Sequence, residues 1–243
     1  MTLKAVLFDF NGVIINDEPL HQRLIDRILI SENLRPQPEE FWKVCLGRSD
    51  RACLFDLLSR RGRVVSEKHL LQLLKHKVQA YQHELEKLET LPIYPGLEDL
   101  IFQLRSRSLK LAVVSGANRC EIEMVLNRAA LAEYFTVIVA GDDVTTSKPE
   151  PDGYLLAVER LNQQYPGFNL QPSECLAVED TPSGIEAAKR AGMQVVGVAN
   201  TYPFHMLQRQ VNWTVDYLCD LEIDRVQQVY SRTENQQQVG KTI

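Results

Sequence analysis

No apolar stretch in this 243-residue chain approaches the roughly 20 residues that a membrane-spanning helix needs. Nor does the start, Met1-Thr2-Leu3-Lys4, read as a secretory leader, because it runs straight into a strand-like segment carrying Asp9. An excess of positive charge is also missing: 27 Lys and Arg face 32 Asp and Glu, for a net charge of -5. That excludes a general nucleic-acid binder. Cysteine is scarce, with only Cys45, Cys53, Cys120, Cys175 and Cys219. An odd number without C-x-x-C spacing predicts buried free thiols in a reducing, cytoplasmic compartment. Internal repeats are absent. What remains is 44% hydrophobic and 24% charged, neither disordered nor fibrous, and long enough to bury a core without staples.

Five short apolar runs stand out, at 5–10, 111–115, 137–140, 176–178 and 194–198. They are rich in Val, Ile, Leu or Ala without strict alternation, as strands covered on both faces are. Helical patterns at 97–107, 118–130, 154–161 and 182–191 separate the later runs. This alternation predicts an α/β fold with a doubly wound parallel sheet. Between the first two runs only helical patterns occur, at 18–31, 38–46, 50–61 and 66–88. That is too much chain for a single crossover, so it reads as an all-helical insertion. Its borders carry turn residues, Asn16-Asp17 on one side and Pro92, Pro95 and Gly96 on the other. Two such adjacent connections suit a hinged lid. The expected division is an α/β core of 1–15 and 92–233, a helical cap of 16–91, and a polar, Gln-rich flexible tail of 234–243.

Ligands of open α/β sheets lie beyond the carboxyl ends of the strands. There the chain places Asp9-Phe10-Asn11-Gly12, Ser115-Gly116, Gly141-Asp142-Asp143 and Glu179-Asp180, with Lys148 in Ser147-Lys148-Pro149. Singly, each has an ordinary reading: a turn cap, acids at a helix start opened by Thr181-Pro182, a surface lysine. Jointly, carboxylates after three of five strands repel unless a cation sits among them. A hard divalent cation is therefore expected, Mg²⁺, and with it a phosphoryl substrate.

This constellation resembles the haloacid dehalogenase-like superfamily, in the branch with a helical cap after the first motif, which contains β-phosphoglucomutase and small-metabolite phosphatases. The resemblance covers nearly the whole chain. Phe8-Asp9-Phe10-Asn11-Gly12, Val114-Ser115-Gly116, Ser147-Lys148-Pro149 and Glu179-Asp180-Thr181-Pro182-Ser183-Gly184 look like its four motifs in order. It implies Asp9 as the nucleophile that becomes an aspartyl phosphate. It implies that Ser115, Gly116 and Lys148 hold the phosphoryl group, and that Asp9, the Asn11 backbone carbonyl and Asp180 bind Mg²⁺. Glu179 would be a ligand or a supporting neighbour. The implied activity is a Mg²⁺-dependent phosphohydrolase of a small phosphorylated metabolite, a monomer or weak homodimer without nucleic-acid or membrane partners.

The family's phosphatases and mutases carry an aspartate two residues after the nucleophile, which exchanges protons with the leaving and attacking oxygens. Here the residue is Asn11, an amide that exchanges no proton at neutral pH. Loss of general acid–base help costs about 10²–10⁴ in rate. The alternatives are cleavage of good leaving groups, a phosphate-ester binder with impaired turnover, an engineered trap, or partial deamidation at Asn11-Gly12. Dehalogenases also lack this aspartate, but they need no metal. Phosphonate hydrolases lack it too and use a cap lysine, for which Lys43, Lys68, Lys75 and Lys77 are available. A receiver domain is disfavoured by the long insertion.

His21, in the first cap helix, either assists proton transfer or is a structural histidine. Gly47-Arg48-Ser49-Asp50-Arg51 resembles the loop that reads substrate in this branch, with Arg48 as a substrate contact. Asp50 holds the mutase's arginine position, which weakens a phosphosugar mutase, since a second phosphate wants a bidentate cation. Lys77 reads as a solvated helix face, and His69, His76 and His83, seven apart, as surface residues too distant to share a metal.

Overall fold

The computed structural model describes residues 2–239, with side chains for all but Pro38 and 232–239. Six strands form one parallel sheet: β1 (Ala5–Phe8), β2 (Lys110–Val114), β3 (Val137–Val139), β4 (Cys175–Glu179), β5 (Gln194–Val198) and β6 (Trp213–Val215). Their order is β3-β2-β1-β4-β5-β6. Alternate residues of β1 enter different cores: Val6 and Phe8 join one apolar cluster, Ala5 and Leu7 the cluster on the opposite face. Two covered faces explain why the strands show no polar alternation. Strand β6 was not foreseen; it is a three-residue edge strand with only Val215 buried, too short to carry a pattern.

Between β1 and β2 lie α1 (Glu18–Ser31), α2 (Pro38–Glu40, continuing as a wide π-type turn through Phe41–Cys45), α3 (Asp50–Arg60) and α4 (Glu67–Glu86). They enclose a third apolar cluster of their own, including Ile25, Ile28, Leu54, Leu57 and Leu73. Ser49 and Ser66 cap α3 and α4 by accepting from Ala52 N and His69 N. The other faces of α1 and α4 place Leu24 and Tyr81 in the sheet's cluster. The two connecting strands of chain pair with each other: Asn16 N donates to Pro92 O (2.8 Å) and Tyr94 N to Ile14 O (3.0 Å).

After the insertion come α5 (Leu97–Ser106), α6 (Arg119–Arg128), α7 (Asp152–Gln164), α8 (Pro182–Arg190), α9 (Phe204–Leu207) and α10 (Ile223–Val239). Helix α10 takes up residues 234–239 of the stretch expected to be a tail; 240–243 lie outside the described residues. Among the described residues no helix is long and apolar enough to cross a membrane.

The cysteine expectation is corrected. Cys45 and Cys53 form a disulfide, because the loop between the π-type turn and α3 folds back and brings their Cα atoms to 4.5 Å. Cys120 and Cys219 are exposed, and of the five only Cys175 is a buried free thiol.

Candidate active site

Phe8 is level with Val113 of β2 and Val178 of β4, so the next residue, Asp9, leaves the sheet beside Val114 and Glu179. This is where the strand order reverses around β1, the usual ligand crevice of such sheets. Asp9 Oδ1 accepts from Phe10 N at 2.7 Å and pairs with Lys148 Nζ at 2.9 Å. Lys148 Nζ also donates to Glu179 Oε1 at 2.7 Å, and Tyr154 OH donates to the same oxygen. Burial works against the Lys148 charge, but Asp9 and Glu179 hold its pKa above the usual lysine value.

Acceptor oxygens of Asp9, Glu179 and Asp180 lie within 4.8 Å of one another, all buried. Glu179 Oε2 and both Asp180 oxygens meet no hydrogen-bond partner among the described residues. Thr201 stands close enough to favour the Asp180 anion without bonding geometry. Burial and then the Asp9 charge push the pKa values of both Glu179 and Asp180 up. One lysine thus serves two of three buried carboxylates, and three oxygens are left over. Unpartnered buried carboxylate oxygen is costly, and a hard cation is the ligand that chemistry fits.

Backbone shape depends on two glycines here. Gly12 has φ +77°, and a Cβ on it would fall 1.9 Å from Asp180 Oδ2. A Cβ on Gly116 would fall 2.8 Å from the Arg48 and Ser49 backbone, so this glycine lets the α2–α3 loop close onto the core. Ser115 is buried, accepts from Ala117 N at 3.0 Å, and lines a small cavity with Gly116 and Lys148. Asp142 and Asp143, counted among the strand-end carboxylates, are not part of this group. Asp142 accepts from Arg119 N, and Asp143 accepts from Arg119, Arg160 and Ala140 N, bracing the end of β3.

Asn11 meets the helical insertion. Its Nδ2 donates to Asp17 Oδ1 (2.9 Å) and Oδ2 (3.1 Å) and lies 3.0 Å from His21 Nε2. His21 Nε2 is 3.2 Å from Asp17 Oδ2, and Tyr81 OH donates to that same oxygen at 2.5 Å. His21 is buried and its ring stacks on Tyr81. Neutral His21 accepts from Asn11, whereas protonated His21 donates to Asp17, so the cluster serves both states. Burial and the Lys77 charge oppose His21's proton, but Asp17 and Glu121 outweigh them and raise its pKa. Asp17 opens α1 without capping it, because its carboxylate is spent on Asn11, His21 and Tyr81.

Lys77 is not on a solvated face. It is 1% exposed, and its Nζ donates to Asp50 (2.6 Å) and Glu121 (3.1 and 3.2 Å), tying α4 to α3 and α6. His76 and His83 are exposed, and His69 bonds Glu32. Arg48 lines the cavity above Asp9, but its guanidinium donates to Asp56 (2.7 Å) and Val44 O (2.9 Å). Asp17, Tyr81 and Glu121 escaped the sequence reading. Asp17 read only as part of a border turn, and nothing in the pattern around Glu121 or Tyr81 sets them apart; the burial of their partners does.

The haloacid dehalogenase-like hydrolase family model matches residues 6–198. A phosphorylated carbohydrates phosphatase of Thermotoga maritima is 32% identical over 203 residues, covering 82% of this chain and 87% of that protein. The beta-phosphoglucomutase of Bacillus subtilis is 29% identical over 90% of this chain and 93% of its own. Among solved structures, beta-phosphoglucomutase from Clostridium difficile matches with a TM-score of 0.81 at 23% identity, over 95% of this chain and 98% of that one. So low an identity speaks for the fold alone. The family match, by contrast, runs from β1 through β5 and takes in every strand end around Asp9, and the chain is an enzyme of the haloacid dehalogenase-like hydrolase family.

Proposed function

We propose that this hydrolase is a Mg²⁺-dependent phosphatase of a small phosphorylated metabolite, working through an aspartyl phosphate on Asp9. The observation that carries the reading is the Asp9–Lys148 pair at 2.9 Å beside two buried carboxylates with three unpartnered oxygens. Asp9, Asp180, the Asn11 carbonyl and Glu179 would hold Mg²⁺, which offsets charge on the phosphoryl group. Asp9 attacks phosphorus, the ester P–O bond breaks, and the leaving oxygen takes a proton. Water then attacks the same phosphorus, releasing phosphate and restoring the Asp9 carboxylate. Lys148 balances charge on Asp9 and the transferring group, and Ser115 with Gly116 receives phosphoryl oxygens. The helices at 16–91 act as the cap that excludes water during the first step.

The Asn11 amide does not ionise near neutral pH, so in this reading His21 gives and takes the proton, held in place by Asp17. The relatives' names support the substrate class: one is a phosphatase of phosphorylated carbohydrates, another a phosphoglucomutase. Asn11 also favours a second reading, a phosphate-ester binder with impaired turnover. Phosphate release from a panel of sugar phosphates, with and without Mg²⁺, separates them. The phosphatase reading expects turnover that Asp9→Ala abolishes and His21→Ala lowers by about 10²–10⁴. Turnover by Asn11→Asp alone would make the chain a binder.

A further inference from the structure

The cavity above Asp9 is walled on its helical side by Glu18, His21, Arg48 and Asp50, with Ile25 and Phe41 between them. The cations that reach this wall are already engaged. Arg48 is balanced by Asp56, His21 lies against Asp17, and Lys77, behind the wall, is shared by Asp50 and Glu121. Two carboxylates therefore share one ammonium, and Glu18 meets no hydrogen-bond partner among the described residues. The wall's surplus is negative and rich in acceptors.

We infer that the substrate carries a single phosphate and that the rest of it is a hydroxyl-bearing group, neutral or amine-bearing, not a second phosphate or a carboxylate. The inference rests on the phosphatase reading and names its substrate class. An ionised carboxylate accepts hydrogen bonds and donates none, so a group facing Asp50 must bring donors, and Glu18 accepts from it whenever it is ionised. Hydroxyls and ammonium groups do; a phosphate dianion brings only acceptors and like charge. Burial above all pushes Glu18 up to about 7, with Asp17 and Asp9 adding to the rise against relief from His21. The wall already resists one further anion of its own.

The test compares kcat/KM for pentose and hexose monophosphates, each beside its bisphosphate, together with glucosamine 6-phosphate and phosphoglycolate. The expected result is a preference for monophosphates over bisphosphates and phosphoglycolate of at least about 100-fold, with the aminosugar ester equal to or better than its neutral counterpart. Asp50→Asn, which releases Lys77 from one carboxylate, narrows the mono-to-bisphosphate ratio about tenfold. The wild-type ratio decides the matter if that variant does not fold. Calorimetric binding of the same esters to Asp9→Asn keeps the two readings apart. Bisphosphates turned over as well as monophosphates overturn this inference and leave the phosphatase. Selective binding of monophosphates without turnover by the wild type overturns the phosphatase and leaves the selectivity. Neither binding nor turnover of any ester overturns both.

Discussion

Replacing Asp180 by asparagine should make the metal-free protein more stable, which is unusual for a fully buried polar residue. Two like charges 4.8 Å apart, the outer limit within the Asp9, Glu179 and Asp180 group, repel by about 3.5 kcal/mol at an effective dielectric near 20. Asp180 faces two such neighbours and has no bonded partner for either oxygen. It escapes part of this by binding a proton, as its raised pKa indicates, so the relief on substitution is smaller than the sum. An amide also offers a donor to the unpartnered Glu179 Oε2. The expected gain is about 1–3 kcal/mol, the range for an unsatisfied buried group. Magnesium reverses the ranking. At a concentration about 100 times its dissociation constant it adds about 2.7 kcal/mol to the wild type. For a chain of this size that is a rise in Tm of about 5–10 °C. Asp180→Asn should lose most of this rise. Urea and thermal melts in chelator and in Mg²⁺, followed by circular dichroism, read both quantities without any turnover. A variant less stable than wild type in chelator, with an equal rise in Mg²⁺, would refute the account of the three carboxylates as a cation site.

Two further outcomes follow from structure away from the reaction. Burial opposes the Asp143 charge, but bonds from Arg160, Ala140 N and Arg119 hold its pKa below the ordinary 3.8. A depressed carboxyl contributes stability that is present above its unfolded value and lost as pH falls through the folded one. Asp143→Asn should therefore lower the urea midpoint at neutral pH and flatten its fall in the acid range; an unchanged acid limb would disprove that share. Reduction of Cys45–Cys53, which closes a loop of sequence separation 8, should cost about 2.5 kcal/mol by loop entropy. Mass spectrometry after alkylation of the unfolded chain should show two more modified thiols with reductant than without it, and identical counts would mean the bond does not form.

Much of the sheet was legible because β1, β2, β4 and β5 are buried on both faces and read as continuous apolar runs. The edge strand β6 was illegible for the same reason in reverse: a short strand with one buried residue carries no period. Asp9, Ser115, Lys148 and Glu179-Asp180 stood out because the chain order of strand ends is itself a pattern, and the structure gathers them at the end of β1. Asp142 and Asp143 fitted that pattern equally well and were wrongly included, since the arginines that claim Asp143 come from α6 and α7. Lys77 misled because a lysine on an amphipathic helix is ordinarily solvated; here Asp50 and Glu121, distant in sequence, bury it.

The sequence by itself determined the α/β sheet, the helical stretch between its first two strands, and the acidic residues beyond the strand ends, because periodicity and order are local properties of the chain. It also set Asn11 two residues after Asp9. Only the tertiary structure decided which carboxylates converge, that Cys45 and Cys53 are joined, and that Asp17, His21 and Tyr81 gather around Asn11. Those are meetings between elements, set by the crossing of strands and helices, and whether a charge is paired or orphaned depends on neighbours that no spacing along the chain specifies.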